Sequence, residues 1–194
     1  MKIKRPSPFQ KVPNDAKIVF KGVIFDVVQW EQEMYDGSYK TFEILKRPDT
    51  AVLIPVTKDK KIIIIKEAQP GKDPVFAFPG GRLEPKEDPI FAAKRELLEE
   101  TGYGSETLSL FKAVTPLTKI DWVIYYFIAK DCVDTGEQDL DFGENITIKL
   151  IDFETMIDML INEEIPHEPN LTKIALRAKL FPEDMKSFRS AVLD

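Results

Sequence analysis

GRLEPKEDPIFAAKRELLEETGY, residues 81–103, fixes more of the fold than any other stretch of the chain. Between Pro89 and Thr101 the residues read as a helix, with Asp88 placed to cap its start. Pro89 stands at the tolerated first position and Gly102 where a left-handed residue closes the last turn. At about 100° per residue, Glu96, Glu99 and Glu100 fall within one sector of that helix, beside an apolar stripe of Ile90, Ala93 and Leu97. Carboxylates spaced i,i+4, such as Glu96 and Glu100, repel each other by a few tenths of a kcal/mol, and Arg95 can pair with only some of them. A hard divalent cation, which selects oxygen ligands, would relieve the crowding. A solvated acidic helix face is the bland alternative for the glutamates taken alone.

The residues around the acids decide between these readings. A glycine, a glutamate six positions on, an arginine and a second glycine stand at set distances from the cluster. The stretch resembles the signature of the Nudix hydrolases, G-x5-E-x7-R-E-U-x-E-E-x-G-U, where U is a bulky aliphatic residue. Gly81, Glu87, Arg95, Glu96, Leu97, Glu99, Glu100 and Gly102 match in register. Tyr103 alone departs, at a packing position. The resemblance implies a nucleoside diphosphate linked to another moiety as substrate, and Mg2+ or Mn2+ as cofactor. It further implies Glu96, Glu99, Glu100 and the Gly80 carbonyl as metal ligands, with Glu87 and Arg95 as an ion pair bracing the loop against the helix.

The rest of the chain bounds the class. With 194 residues, 43% of them apolar, there is enough for one domain with an appended segment. A single cysteine, Cys132, rules out an internal disulfide and fits a reducing compartment. Together with a single histidine, His167, it rules out a zinc site of the usual Cys/His kind and argues against Cys/His or Ser/His/Asp catalysis. The net charge of −6 points away from nucleic acid as a partner. Neither a signal-peptide pattern nor a long apolar run is present, so a cytoplasmic setting is expected and no membrane partner is.

Read in order, residues 1–15 form a polar, Pro-rich arm, and residues 16–47 a small antiparallel β unit with a turn at Asp36-Gly37. Residues 48–194 form the hydrolase domain. Its continuous apolar runs, residues 51–57 and 61–67, suit strands covered on both faces. A short strand at 75–78, strands at 107–114, 122–130 and 146–151, an acidic loop from 131 to 144, and helices at 153–162 and 171–181 complete the pattern. The expected architecture is α/β: a Nudix-type α/β/α sandwich with a mixed sheet, preceded by the β segment. In the ADP-ribose pyrophosphatase branch that this chain resembles, such a segment builds a homodimer and part of the nucleoside pocket, and both are expected here.

The resemblance to that branch also suggests the remaining site residues. A glutamate from a later loop takes the water's proton in a context like Gly143-Glu144-Asn145-Ile146, making Glu144 the first candidate for general base and Glu99 the second; a plain surface acid is the alternative for Glu144. Arg47 matches an arginine before the first core strand. Gly81 lets the backbone approach a ligand closely, and Arg82 beside it is a further substrate contact. Thr115-Pro116 matches a downstream proline motif, with Leu117 where glycine is usual and Asp121 where glutamate is usual. Gln69-Pro70 lies where the branch often has Gln-x-Arg. Trp30 either stacks on a base or packs in the sheet. ADP-ribose, giving AMP and ribose 5-phosphate, is the leading substrate. Another nucleoside diphosphate sugar, a nucleoside triphosphate, or non-catalytic nucleotide sensing are the alternatives.

Overall fold

The structure, a computed structural model, describes residues 3–140 and 142–194. The first two residues of the arm and Asp141 of the acidic loop lie outside the described residues. The chain runs β1 (Lys17–Lys21), β2 (Asp26–Glu33), β3 (Tyr39–Lys46), β4 (Thr50–Thr57), β5 (Ile62–Ala68), β6 (Val75–Ala77), β7 (Gly80–Arg82), α1 (Pro89–Thr101), β8 (Tyr103–Gly104), β9 (Thr107–Val114), β10 (Ile120–Asp121), β11 (Ile124–Asp134), β12 (Asn145–Ile151), α2 (Phe153–Ile161), α3 (Pro169–Leu180) and α4 (Pro182–Leu193).

The main sheet has the order β12-β5-β4-β11-β8, with β9 also on β11. It is mixed, because β4 and β11 run parallel while β12 and β9 pair antiparallel with their neighbours. Side chains alternate across a strand, and here both sides are covered. Val52, Ile54, Ile64 and Tyr126 face α2, α3 and α4 in one core cluster. Ala51, Leu53, Ile63 and Phe127 face Ala92, Ala93 and Leu97 of α1 in the other. The two-sided burial of these apolar runs makes the α/β/α sandwich.

One irregularity builds the site. β4 and β5 share only the Val56–Ile62 pair, so the sheet splits beyond it. The segment carrying β6 and β7 fills the split: β6 pairs β5, β7 pairs β4, and the Leu53 amide donates to Pro79 O at 2.9 Å. Gly80 and Gly81 are thereby carried to the middle of the molecule, next to α1. Several elements depart from the sequence expectation, the short strands β8 and β10 among them. Residues 80–82 form a strand rather than loop, β11 continues through residue 134 into the expected acidic loop, and α4 extends the helical layer past residue 181.

The N-terminal strands form a separate sheet, β1-β2-β3-β10. Its turn falls at Asp36-Gly37, where Gly37 adopts φ 80°. β10, from the later part of the chain, pairs in parallel with β3 (Ile120 with Leu45). Arg5 of the arm clamps Asp49 at 2.7 Å and Asp121 at 2.8 Å. Among the described residues no helix is long and apolar enough to cross a membrane.

Candidate active site

α1 sets the geometry. Asp88 accepts from the Ile90 amide at 3.1 Å, Pro89 begins the helix, and Gly102 at φ 67° closes it with its N–H on Leu98 O at 2.7 Å. Because the apolar stripe is pressed onto the sheet, Glu96 and Glu100 on its flank are carried under with it. They are 9% and 7% exposed, whereas the Glu99 side chain stays more open.

Arg95 ties loop and helix together. Its Nε and Nη2 donate to the two Glu87 oxygens at 3.1 Å each, and Nη2 also reaches Arg82 O at 3.1 Å. Its Nη1 donates at 2.9 Å to both Glu96 Oε1 and Glu99 Oε2. Against the burial that would raise the Glu87 carboxyl, the bonds from Arg95 and the Glu84 amide hold it below its ordinary range. The Arg95 guanidinium is held more firmly charged, chiefly by Glu87. Glu96 is pushed up to about 7 by burial; Arg95 opposes that shift, while Glu99 and Glu144 add to it. Glu100 is pushed up to about 9, first by burial. The Gly80 N–H at 2.7 Å opposes this, and repulsion from Glu96, Glu144 and Glu67 reinforces it. The acids are thus gathered where negative charge is under-compensated, the condition a hard cation relieves.

These groups open onto a cavity of about 650 Å3. Glu67, Gly80, Gly81, Glu96, Glu100 and Glu144 are among its lining, together with Arg47, Arg82, Arg95, Ile24 and Phe25. Gly80 is sterically required by the backbone beside it, while a side chain at Gly81 would displace the Glu96 carboxylate. A Cβ on Gly80 would stand 2.2 Å from Ala51 O, and one on Gly81 would stand 2.3 Å from Glu96 Oε1. The Arg47 guanidinium lies 4.3 Å from the Trp122 ring centroid and 5.4 Å from that of Phe25. Its Nε is buried without a hydrogen-bond partner. Burial, then the charge of Arg82, lowers its pKa.

Of the residues expected from sequence, Gly80, Gly81, Arg82, Arg95, Glu96, Glu100, Glu144 and Arg47 share the cavity, and Glu87 and Glu99 join it through Arg95. Three others lie elsewhere. Trp30 is buried with Val28 and Ile44 against the edge of Phe42, its indole N–H on Gln32. Asp121 sits on β10 bonded to Arg5. Thr115 follows β9 and does not line the cavity. Sequence reasoning missed Glu67, Phe25 and Trp122. The signal for Glu67 was its place at the end of an apolar strand, where pairing with Ile146 brings it beside Glu144. The Cys132 thiol is buried and pushed up to about 11, which keeps it protonated. Among the described residues no three His, Cys, Asp or Glu side chains already converge as a preformed ion cage. In the structure Glu96, Glu99 and Glu100 point one oxygen each at Arg95 or the Gly80 amide.

A NUDIX domain model matches residues 46–173. The chain is 29% identical over 150 residues to the ADP-ribose pyrophosphatase of Bacillus subtilis, covering 76% of this chain and 81% of that protein. It is 31% identical over 124 residues to a methanol dehydrogenase activator of Bacillus methanolicus, covering 63% and 67%. Its fold matches a crystal structure of an ADP compounds hydrolase with a TM-score of 0.68 at 22% identity, over 93% of this chain and 96% of that one.

Proposed function

Because the chain belongs to the NUDIX family of pyrophosphate-cleaving hydrolases, we propose that it cleaves ADP-ribose to AMP and ribose 5-phosphate with Mg2+ or Mn2+. The observation that carries this reading is one cavity lined by buried Glu96 and Glu100 together with Glu144, Arg47 and Arg82. The donor set is entirely hard oxygen, which fits these ions. One oxygen each of Glu96, Glu99 and Glu100 is engaged by Arg95 or Gly80, and the second is the donor offered to a cation, alongside the Gly80 carbonyl. A divalent cation held there supplies charge neutralisation at the phosphoryl oxygens and a more acidic water.

The chain's own residues do the rest. Arg47 and Arg82, which line the same cavity, would contact the diphosphate. Gly80 and Gly81, without side chains, let it reach the glutamates. Glu144 enters from the start of β12, on an element separate from α1, and accepts the proton of the attacking water. The water oxygen bonds to phosphorus as the anhydride bond breaks, and the bridging oxygen leaves with the departing phosphate. General-base assistance of this kind contributes roughly 10²- to 10⁴-fold. Arg95 and Glu87 hold the loop and the helix in register.

Another nucleoside diphosphate sugar is the second reading. It is favoured by Leu117, which lies in a groove of the N-terminal sheet rather than in the acidic cavity. The N-terminal sheet would pair two copies of the chain, with residues 1–47 serving dimerisation and the nucleoside pocket. The test of function is a panel of nucleoside diphosphate derivatives assayed with Mg2+ and with Mn2+, then with chelator. Release of AMP from ADP-ribose that chelation abolishes is the expected result. Preferential cleavage of a different sugar moves the assignment to the second reading, and turnover that survives chelation contradicts the metal.

A further inference from the structure

A helix leaves its last carbonyls without internal partners, and α1 has its own satisfied in an unusual way. Leu97 O takes the Thr101 hydroxyl and Leu98 O takes the Gly102 amide. The next acceptors are filled from the segment that leads to Glu144. The Asp139 amide donates to Glu99 O at 2.9 Å, the Gln138 side-chain amide donates to Glu100 O, and Thr135 donates to Gly102 O through both its amide and its hydroxyl at 2.8 Å each. Gln138 Nε2 also lies 3.5 Å from Ile146 O, two residues past Glu144. The fit is close: a Cβ on Gly102 would stand 2.4 Å from Gly136 O. Two of the three residues whose carbonyls anchor the segment, Glu99 and Glu100, also carry carboxylates of the glutamate cluster, and Glu100 lines the cavity.

Resting on the reading of Glu144 as general base, we infer that Gln138 is a positioning residue. Its amide bridges the end of the glutamate helix and the first residues of strand β12, and so fixes Glu144 relative to Glu96 and Glu100. The nitrogen touches neither substrate nor reacting atoms. It acts by holding two elements at one separation, and a displacement of about 1 Å in such a constellation can cost roughly 10²-fold in rate.

A double-mutant cycle on the full chain, Gln138→Leu, Glu144→Gln and both together, tests this with the best substrate of the panel and Mg2+. Gln138→Leu keeps the volume and removes the donor. It is expected to lower kcat by roughly 10- to 100-fold with KM changed by about twofold or less. In the Glu144→Gln background the same substitution is expected to change kcat by less than about twofold, because nothing remains for it to position. Amide exchange at Asp139 should quicken in the single variant, which reads the loosened anchor without turnover. A near-native kcat for Gln138→Leu, or full multiplication of the two losses in the double variant, overturns the inference while leaving Glu144 in place. A near-native rate for Glu144→Gln overturns both assignments. If Gln138→Leu does not fold, Gln138→Met, which keeps the length of the side chain and likewise removes the donor to Glu100 O and Ile146 O, carries the same cycle.

Discussion

A buried carboxyl loses its hydration, and Glu168 meets that loss without the help given to Glu96 and Glu100. It stands at the N-cap of α3, 8% exposed, with the Tyr126 hydroxyl as its hydrogen-bond partner and Oε2 buried without one. Burial raises it to about 7, with the Tyr126 bond opposing. The sign follows from linkage. A raised acid favours the folded state while protonated, so stability is greatest below the unfolded value near 4.5 and falls as pH rises through about 7. Glu168→Gln removes the ionisation, so the variant should gain on the parent by on the order of 2 kcal/mol between pH 5 and pH 8. Thermal melts across that range check it, and parallel Tm curves for the two proteins would contradict it. At this scale the spacing in the sequence was enough to single out Glu87, Arg95 and the three helix glutamates, which the structure brings together around the Arg95 guanidinium and the Gly80 amide. Gln138 and Trp122 were invisible because an amide or an indole announces a role only through its neighbours, and those neighbours are distant along the chain.

Elements whose causes are local were legible. α1 begins and ends where Asp88, Pro89 and Gly102 place it, since capping needs only residues within a turn. β4 and β5 were readable because an unbroken apolar run has few other uses. β7 was not. Gly-Gly-Arg has no strand pattern, and it is extended only because β4 is left open where β5 diverges. α4 did carry signals of its own, Pro182 at its start, Glu183 and Asp184 in the first turn, and Phe188 and Val192 spaced i,i+4 against the core. The continuation of β11 past Lys130 was hidden for another reason, since its polar residues Asp131 and Asp134 look like loop until their pairing with β8 is known.

The whole molecule presents two faces of different character. One holds the acidic cavity. The other is the N-terminal sheet, where every residue of β1 is exposed, Ile18, Val19 and Phe20 among them, and a groove of about 850 Å3 is lined by Val27, Phe42 and Ile44. Exposed apolar surface on an edge strand calls for a cover, and a second copy of the chain is the cover proposed here. Sedimentation at micromolar concentration should give twice the chain mass, and a monomer that persists at all concentrations would contradict it. The central claim concerns the other face: buried glutamates on α1 form a seat for a divalent cation that grips a diphosphate. Calorimetric titration of Mn2+ or Mg2+ in the presence of a non-hydrolysable ADP-ribose analogue tests it most directly. Binding at or below the order of millimolar in the parent chain, lost in Glu100→Gln, is the predicted result. An absence of binding in the parent, or equal heats from the two proteins, would contradict it.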